Sequence, residues 1–305
     1  MSIWTIPEPV RKVFDSFPLK VNEPTKLPLN GNDAGMAVSK GLTHVYVYNI
    51  AENGLCTDPH CLEVQSWIQL RNKQNKTESD KITISASSVH VSPTDSLPFI
   101  VENSHKINNI KPQSTKSEPV GRVKYLQDKG NSSSNEEVYC SLIDTWLRSC
   151  WIVSMLDPRH LAIKESIYIL EEERKELPTQ ILSVISNQVN YRLIQELEPQ
   201  YPELTAEANS YRARITGYSL NSNILADVFD RAEECLAVFE SLLSKNKSQA
   251  IFGDLNGGTD LGRLDILLFS YTHLILWLIP NSQLARLIPP LVRAHSEHVY
   301  NKIFC

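Results

Sequence analysis

The residues of this chain that most invite a chemical interpretation lie in the stretch Cys56-Thr-Asp-Pro-His-Cys61. A Cys-x-x-Cys pair at such a place would support disulfide exchange, and a hydroxyl or thiol could activate the thiol of a bound glutathione. Cys56 and Cys61 do not form a Cys-x-x-Cys pair, and Cys56 and Thr57 are the only candidates for the second role. The stretch therefore resembles a reactive loop that lacks its reactive residue.

Other chemical patterns are weak. His295 and His298 are three residues apart but lack the His-Glu-x-x-His pattern of a metal site, and no serine stands in a Gly-x-Ser-x-Gly setting. Asp144 and Arg148 are four residues apart on an apolar helix, which predicts a structural ion pair rather than an acid–base couple. We therefore expect no metal, no cofactor and no catalytic residue.

A glycine-rich turn precedes Gly262, and Asp265 follows three residues later. This spacing predicts a helix start at which Asp265 accepts a hydrogen bond from the main chain at the cap position. Phosphate binding is the alternative, but the turn lacks the Lys-Ser/Thr of a P-loop. We expect Asp265 to have a structural role.

Composition narrows the class of protein. The 305 residues are 42% hydrophobic and 21% charged, which predicts a packed core, and the net charge of −5 argues against a nucleic-acid-binding protein. The six cysteines form no zinc or disulfide pattern and are expected to be reduced. The apolar run 266–279 is too short to span a membrane, so it predicts a buried helix and membrane association through a partner.

The elements around the Cys56–Cys61 stretch form a recognisable order. Asp58 is a good N-cap and Pro59 fits the first position of a helix. Pro98 precedes a further strand, at a place where thioredoxin-like domains commonly carry a cis proline; an ordinary loop proline is the alternative. The pattern predicts strands at 45–50, 82–91, 97–102 and 107–110, and helices from 59 to about 71 and near 120–126.

This order predicts an α/β thioredoxin-like domain at 44–127. A Gly/Ser/Asn linker at 128–135 follows, and the periodicity of 136–305 predicts an all-helical domain. The predicted helices are 138–156, 161–176, 181–197, 223–243, 261–279 and 283–303, the last with a Pro289-Pro290 break.

The first 43 residues form a proline-punctuated arm, because five prolines forbid a long helix. Within the arm, Val10, Val13, Phe14 and Phe17 share one face of a short amphipathic turn. The arm either packs on its own domain or docks on a partner.

A thioredoxin-like half followed by a helical half is the glutathione-transferase-like architecture. More closely, the chain resembles the metaxin-like subunits of the mitochondrial sorting and assembly machinery, in particular the fungal subunit that faces the cytosol. Three segments carry this resemblance: 9–19 (PVRKVFDSFPL), 47–49 with 57–65 (VYN and TDPHCLEVQ), and 142–146 with 150–152 (LIDTW and CWI).

The resemblance implies a non-enzymatic, peripheral subunit on the cytosolic face of the mitochondrial outer membrane, which helps to recognise the sorting signal of β-barrel precursors. Implied partners are the membrane-embedded barrel subunit, a second metaxin-like subunit and the precursors themselves. We expect the arm to bind the barrel subunit through Arg11, Lys12, Val13, Phe14, Phe17 and Leu19. The alternative function is a glutathione-transferase-like enzyme, with Cys56 or Thr57 activating the thiol.

Overall fold

The computed structural model describes residues 43–74, 82–89, 92, 96–101, 119–121, 126, 134–202, 222–245 and 261–305. The arm lies outside these residues except for Thr43. So do the predicted strand at 107–110 and most of the predicted linker.

One sheet forms the first part of the described chain. It contains β1 (Thr43–Val47), β2 (Ile82–Ala86), β3 (Phe99–Val101) and β4 (Pro119–Gly121), in the order β2-β1-β3-β4. β1 and β2 are parallel, whereas β3 is antiparallel to both β1 and β4. The crossover that parallel neighbours require is made through helix α1 (Pro59–Gln74). This α/β arrangement confirms the predicted thioredoxin-like fold class.

The fourth strand lies at Pro119–Gly121, where the sequence pattern predicted the start of a helix. Val120 was expected to begin a helix, but it pairs with Ile100 in β4. A β-branched residue beside a glycine suits an edge strand, and Pro119 can stand there because an edge residue does not need its N–H for a second strand. The prediction of a helix starting at residue 120 was therefore wrong.

Helices make up the rest of the described chain. They are α2 (Ser134–Leu142), α3 (Arg148–Leu156), α4 (Leu161–Tyr168), α5 (Glu171–Glu176), α6 (Thr179–Leu197), α7 (Ser222–Lys245), α8 (Arg263–Leu278), α9 (Gln283–Leu287) and α10 (Pro290–Phe304). A π-helical turn, Ile143–Leu147, joins α2 to α3, and a 3₁₀ turn, Pro158–His160, precedes α4. The helical second part is thus confirmed.

Two predicted helices are each divided in two. The segment expected as 161–176 bends at Ile169 and Leu170, both of which have extended backbone angles, so the acidic α5 starts anew. Pro289 is extended and Pro290 opens α10, because proline has no N–H to donate within a helix but suits its first turn.

The core is built around α8. Ile266, Leu267, Leu268 and Phe269 are all fully buried, and the helix packs against α1, α2 and α10. The apolar run that the sequence marked as too short for a membrane span is therefore a core helix. No helix in the described part of the chain is long and apolar enough to cross a membrane.

Candidate functional site

The loop between β1 and α1 is closed on itself. The main-chain N–H of Cys56 donates to Gln65 Oε1 at 2.8 Å, and Gln65 Nε2 donates to the carbonyl oxygen of Gly54 at 2.7 Å. Gly54 has φ of +80°, a conformation that glycine adopts without steric cost. The loop therefore has a fixed shape, held by a side chain of the helix that follows it.

Neither candidate for thiol activation is suited to that role. Cys56 is fully buried, and burial raises the pKa of its thiol above the ordinary value. The Thr57 hydroxyl donates to the carbonyl oxygen of Asn49 at 3.2 Å, so it is committed to the main chain. A site that activates a thiol needs an accessible donor or a thiol with a lowered pKa, and these two residues provide neither.

Asp58 begins α1. Its Oδ1 accepts a hydrogen bond from the main-chain N–H of His60 at 3.0 Å, and the helix then starts at Pro59. An N-cap carboxylate satisfies N–H groups that have no partner inside the helix, and it also faces the positive end of the helix dipole. The side chain of Asp58 has no exposed surface, so its second oxygen needs a partner from within the protein.

The second oxygen, Oδ2, binds groups from the helical part of the chain. Arg148 Nη1 donates to it at 3.1 Å, and so does the Tyr168 hydroxyl at 3.1 Å. Arg148 in turn contacts Glu196 Oε2 at 2.9 Å. The indole N–H of Trp151 donates to the Tyr168 hydroxyl at 3.1 Å. Side chains from α3 and α4 thus converge on one carboxylate at the start of α1, and Glu196 of α6 joins them through Arg148.

His60 makes a second connection beside the first. Its Nε2 lies 3.1 Å from Asp144 Oδ1 and 2.9 Å from the Tyr271 hydroxyl. A ring nitrogen that faces a carboxylate has to donate, so we assign a proton to Nε2. We call the seven residues the Asp58 cluster: Asp58, His60, Asp144, Arg148, Tyr168, Glu196 and Tyr271.

The electrostatics of the cluster follow from its burial. Burial alone would raise the pKa of Asp58, but the charges of Arg148 and His60 and the hydrogen bonds from Arg148 and Tyr168 outweigh it and lower that pKa. Burial and the nearby Asp58 carboxylate raise the pKa of Tyr168, which keeps the phenol protonated as a donor. At the centre of the cluster, Asp58 and Arg148 therefore form an ionised pair, and Tyr168 donates to it as a neutral phenol.

The sequence pattern paired the wrong residues here. Asp144 and Arg148 were expected to bind each other, but Asp144 contacts His60 while Arg148 contacts Asp58 and Glu196. Asp144 lies within the π-helical turn Ile143–Leu147 and Arg148 directly follows it, and the wider turn changes the relative direction of the two side chains. Tyr168, Glu196 and Tyr271 were missed altogether; the one sequence signal was a pair of charges on an otherwise apolar helix.

Further buried contacts join the same two parts of the chain. Asn49 Nδ2 donates to the carbonyl oxygens of Ser166 and Ile169, at 2.9 and 2.8 Å, where α4 ends. Arg263 Nε lies 3.4 Å from Glu63 Oε1, and both side chains are buried. These contacts provide partners for buried carbonyl groups and buried charges.

Pro98 and Asp265, the other two residues expected to have structural roles, each lie at the start of an element. Pro98, whose peptide bond with Leu97 is cis, directly precedes β3. Asp265 Oδ2 accepts from the N–H of Gly262 at 3.0 Å, and its Oδ1 lies 2.9 Å from His295 Nε2. Because glycine has no side-chain oxygen, only one half of the reciprocal capping box forms at α8.

The partner-binding residues expected in the arm, Arg11, Lys12, Val13, Phe14, Phe17 and Leu19, lie outside the described residues. Within the described ranges, no group of three or more His, Cys, Asp or Glu side chains could hold a metal ion.

The four-stranded α/β part followed by helices defines the class: the chain has a glutathione-transferase-like fold. No family model matches the chain. Among solved structures it is similar to the CLIC homologue EXC-4 from C. elegans, with a TM-score of 0.41 and 12% identity over 95% of this chain and 81% of that chain.

A curated relative gives a more particular comparison. The chain is 28% identical over 189 residues to the sorting assembly machinery 35 kDa subunit of Saccharomyces cerevisiae, a match that covers 51% of this chain and 54% of the yeast protein. The chain thus spans about half the length of that relative. This similarity confirms the resemblance to the sorting and assembly machinery that the sequence motifs carry.

Proposed function

We propose that this protein is a non-enzymatic subunit of the mitochondrial outer-membrane machinery that inserts β-barrel proteins. In this role it is a peripheral protein of the cytosolic face and helps to recognise the sorting signal of incoming precursors. Its partners are the membrane-embedded barrel subunit, a second metaxin-like subunit and the precursors.

The assembly role is supported by the similarity to the yeast 35 kDa subunit, which runs over 189 residues. It also agrees with the three motif segments, of which the second contains Asp58 and Pro59 at the start of α1. A subunit of this kind binds proteins rather than small molecules, so it does not need an open active-site cleft.

The observation that carries the non-enzymatic part is the Asp58 cluster. Arg148 and Tyr168 both donate to Asp58 at 3.1 Å, so side chains of the helical part occupy the buried start of α1. The main-chain N–H of His60, in the first turn of α1, already has the Asp58 carboxylate as its partner. A site filled by its own side chains favours a scaffold over a catalyst.

Sorting-signal recognition can be tested by cross-linking. A photoreactive peptide with the last strand of a β-barrel precursor is added to the purified complex, and a scrambled peptide of the same composition serves as the control. We expect cross-links to this subunit from the authentic peptide alone. Equal cross-linking by both peptides would contradict a role in signal recognition.

The expected role of the arm is tested separately. We expect that Phe14→Asp together with Phe17→Asp lowers recovery of the barrel subunit in a pull-down, because the apolar face of the arm is lost. The matched variant Asp15→Asn changes a charge in the same arm, lies outside the expected binding residues and should leave recovery unchanged. Recovery that is undiminished after removal of residues 1–20 would disprove the anchoring role.

The enzymatic alternative predicts a different result. A transferase would bind glutathione saturably and would lose conjugating activity in Cys56→Ala or Thr57→Ala. We expect calorimetric titration with glutathione to give no saturable heat, because the Cys56 thiol is buried and the Thr57 hydroxyl is bonded to Asn49.

A further inference from the structure

A continuous line of aromatic rings runs along helices α8 and α10. His273 stacks on Tyr300 with ring centroids 5.0 Å apart, and Tyr300 stacks on Phe304 at 5.6 Å. Phe269 lies 5.1 Å from His273 and 6.2 Å from Phe304, and Trp277 lies 6.4 Å from His273. We call these five residues the aromatic stripe.

The aromatic stripe passes from the core to the surface. Phe269 is fully buried, while His273, Tyr300 and Phe304 are half-buried. Trp277 is 39% exposed, and it is the aromatic residue among the eight exposed large apolar side chains of the described residues. Burial lowers the pKa of His273, which favours the neutral imidazole that stacks between the other rings.

Trp277 occupies an unusual place for a large apolar residue on the surface. Its helix is otherwise buried along most of its length, from Arg263 to Ile275 with the exception of His273. The exposed indole therefore lies near the C-terminal end of the helix, where its ring reaches solvent beside the other rings of the stripe. Such rings, apolar in body and polar at one edge, suit the region between lipid headgroups and acyl chains.

Positive charge borders the Phe304 end of the stripe. Lys73, exposed at the end of α1, donates through its Nζ to the carbonyl oxygen of Lys302, two residues before Phe304 on α10, at 3.3 Å. The Lys302 side chain itself lies on another side of α10 from Tyr300 and Phe304, because residues two apart on a helix do not face each other. The carboxylate of Glu297 is exposed on the same helix three residues before Tyr300, so the border is basic at the Phe304 end and acidic toward Trp277. This local positive charge complements anionic headgroups, whereas the whole chain, at −5, would be repelled by them.

We propose that the aromatic stripe is a docking surface for the headgroup region of a lipid bilayer, with Trp277 inserted and Lys73 facing anionic headgroups. In the proposed function the membrane is reached through a partner subunit; this surface adds a direct contact with lipid. The two ideas are separable, since a partner-mediated attachment needs no lipid affinity of the isolated chain.

The test uses the purified full chain and extruded vesicles, without any partner subunit. One set of vesicles is phosphatidylcholine and the other is phosphatidylcholine mixed with phosphatidylserine. We expect co-sedimentation with both and stronger binding to the anionic set, with an excess that falls as salt is added. Trp277→Ala should weaken binding about tenfold, because a large aromatic surface no longer enters the interface.

Two further variants separate lipid contact from misfolding. Trp277→Phe keeps an aromatic ring and should retain most of the binding, while Val184→Ala removes exposed apolar surface from α6 and should leave binding unchanged. With brominated lipids, we expect quenching of indole fluorescence in the natural chain and a clear loss of that quenching in Trp277→Phe.

Three results would overturn the proposal. The first is the absence of vesicle binding by the natural chain, and the second is an equal loss of binding in Trp277→Ala and Val184→Ala. The third is recovery of the barrel subunit that falls in Trp277→Ala while vesicle binding does not, because the stripe would then be a protein interface. The proposed function would survive the first result, since its own test is the precursor cross-link.

Discussion

The middle and the C-terminal end of helix α8 show opposite uses of side chains. Tyr271, in the middle of the helix, is fully buried and its hydroxyl lies 2.9 Å from His60, inside the Asp58 cluster. Trp277, less than two turns later, is 39% exposed at the edge of the aromatic stripe. The polar residues that invite a chemical interpretation hold the chain together, whereas apolar residues that look like core reach the surface.

The difference follows from what each environment requires. A carboxylate without exposed surface, such as Asp58, is stable only with charged and hydrogen-bonding partners, and Arg148 and Tyr168 supply them. An exposed indole has no such requirement, and what it lacks is a cover of apolar atoms. We therefore expect changes in the Asp58 cluster to alter stability and changes in the aromatic stripe to alter binding.

The largest expected effect is on the Asp58 cluster. Arg148→Met should lower the free energy of unfolding by about 3–5 kcal/mol, because the Asp58 carboxylate would stay buried without its cation. Urea unfolding followed by circular dichroism measures the loss. Arg159→Met is the matched control, since Arg159 pairs with Asp157 in solvent and its removal should change nothing measurable. Similar losses in both variants would contradict the special place of Arg148.

The double variant Asp58→Asn with Arg148→Met sharpens the same point. If the penalty of Arg148→Met comes from the unpaired carboxylate, neutralising Asp58 should restore part of the lost stability. Losses that simply add would show that Arg148 acts through its contact with Glu196 instead.

The cap of α8 should have a smaller effect. Asp265→Ala removes the acceptor for the Gly262 N–H and the partner of His295, and we expect a loss of about 1–3 kcal/mol. Asp265→Asn retains an acceptor of the same shape and should lose less. Thermal unfolding of the two variants side by side measures the difference, and equal midpoints would speak against the cap.

The pH dependence of stability should report on Asp58. Its pKa is lower in the folded chain than the unfolded value of about 3.9, so its contribution is fully present above that value and is lost as pH falls through the folded pKa. We expect the urea concentration at the unfolding midpoint to decrease as the pH is lowered below about 4, and to decrease less steeply in Asp58→Asn. Parallel curves for the two proteins would show that other carboxylates dominate.

The smallest expected effect on stability is at the aromatic stripe. Trp277→Ala should cost less than about 1 kcal/mol, because the indole is partly exposed and covers little of the core. A loss as large as that of Arg148→Met would erase the contrast between the two regions. It would also mean that Trp277 is a core residue with an accessible edge.

Local signals were sufficient for much of the fold. Asp58 before Pro59 predicted the start of α1, and the alternation in 82–91 predicted β2, although the strand ends at Ala86. The periodicity of 223–243 predicted α7, which spans Ser222–Lys245. β4 was misplaced because a three-residue edge strand has too few residues to show a period, and its pairing with β3 depends on residues distant in sequence.

The candidate site was less predictable than the fold. Arg148 and Asp58 are 90 positions apart, and nothing in local spacing indicates which of several carboxylates a buried arginine will meet. The π-helical turn that contains Asp144 and ends before Arg148 breaks the four-residue spacing on which the predicted pair depended. The roles expected for the arm, from Arg11 to Leu19, remain predictions.

The sequence by itself determined the features whose causes are local: the N-cap at Asp58, the proline breaks and the apolar length of α8. Its motifs also carried the resemblance to a subunit of the sorting and assembly machinery. Only the tertiary structure decided that Asp58, Arg148 and Tyr168 meet and that Trp277 is exposed. Caps and periodicity depend on neighbours along the chain, whereas the pairing of buried charges and the exposure of a side chain depend on residues that folding brings together from far apart.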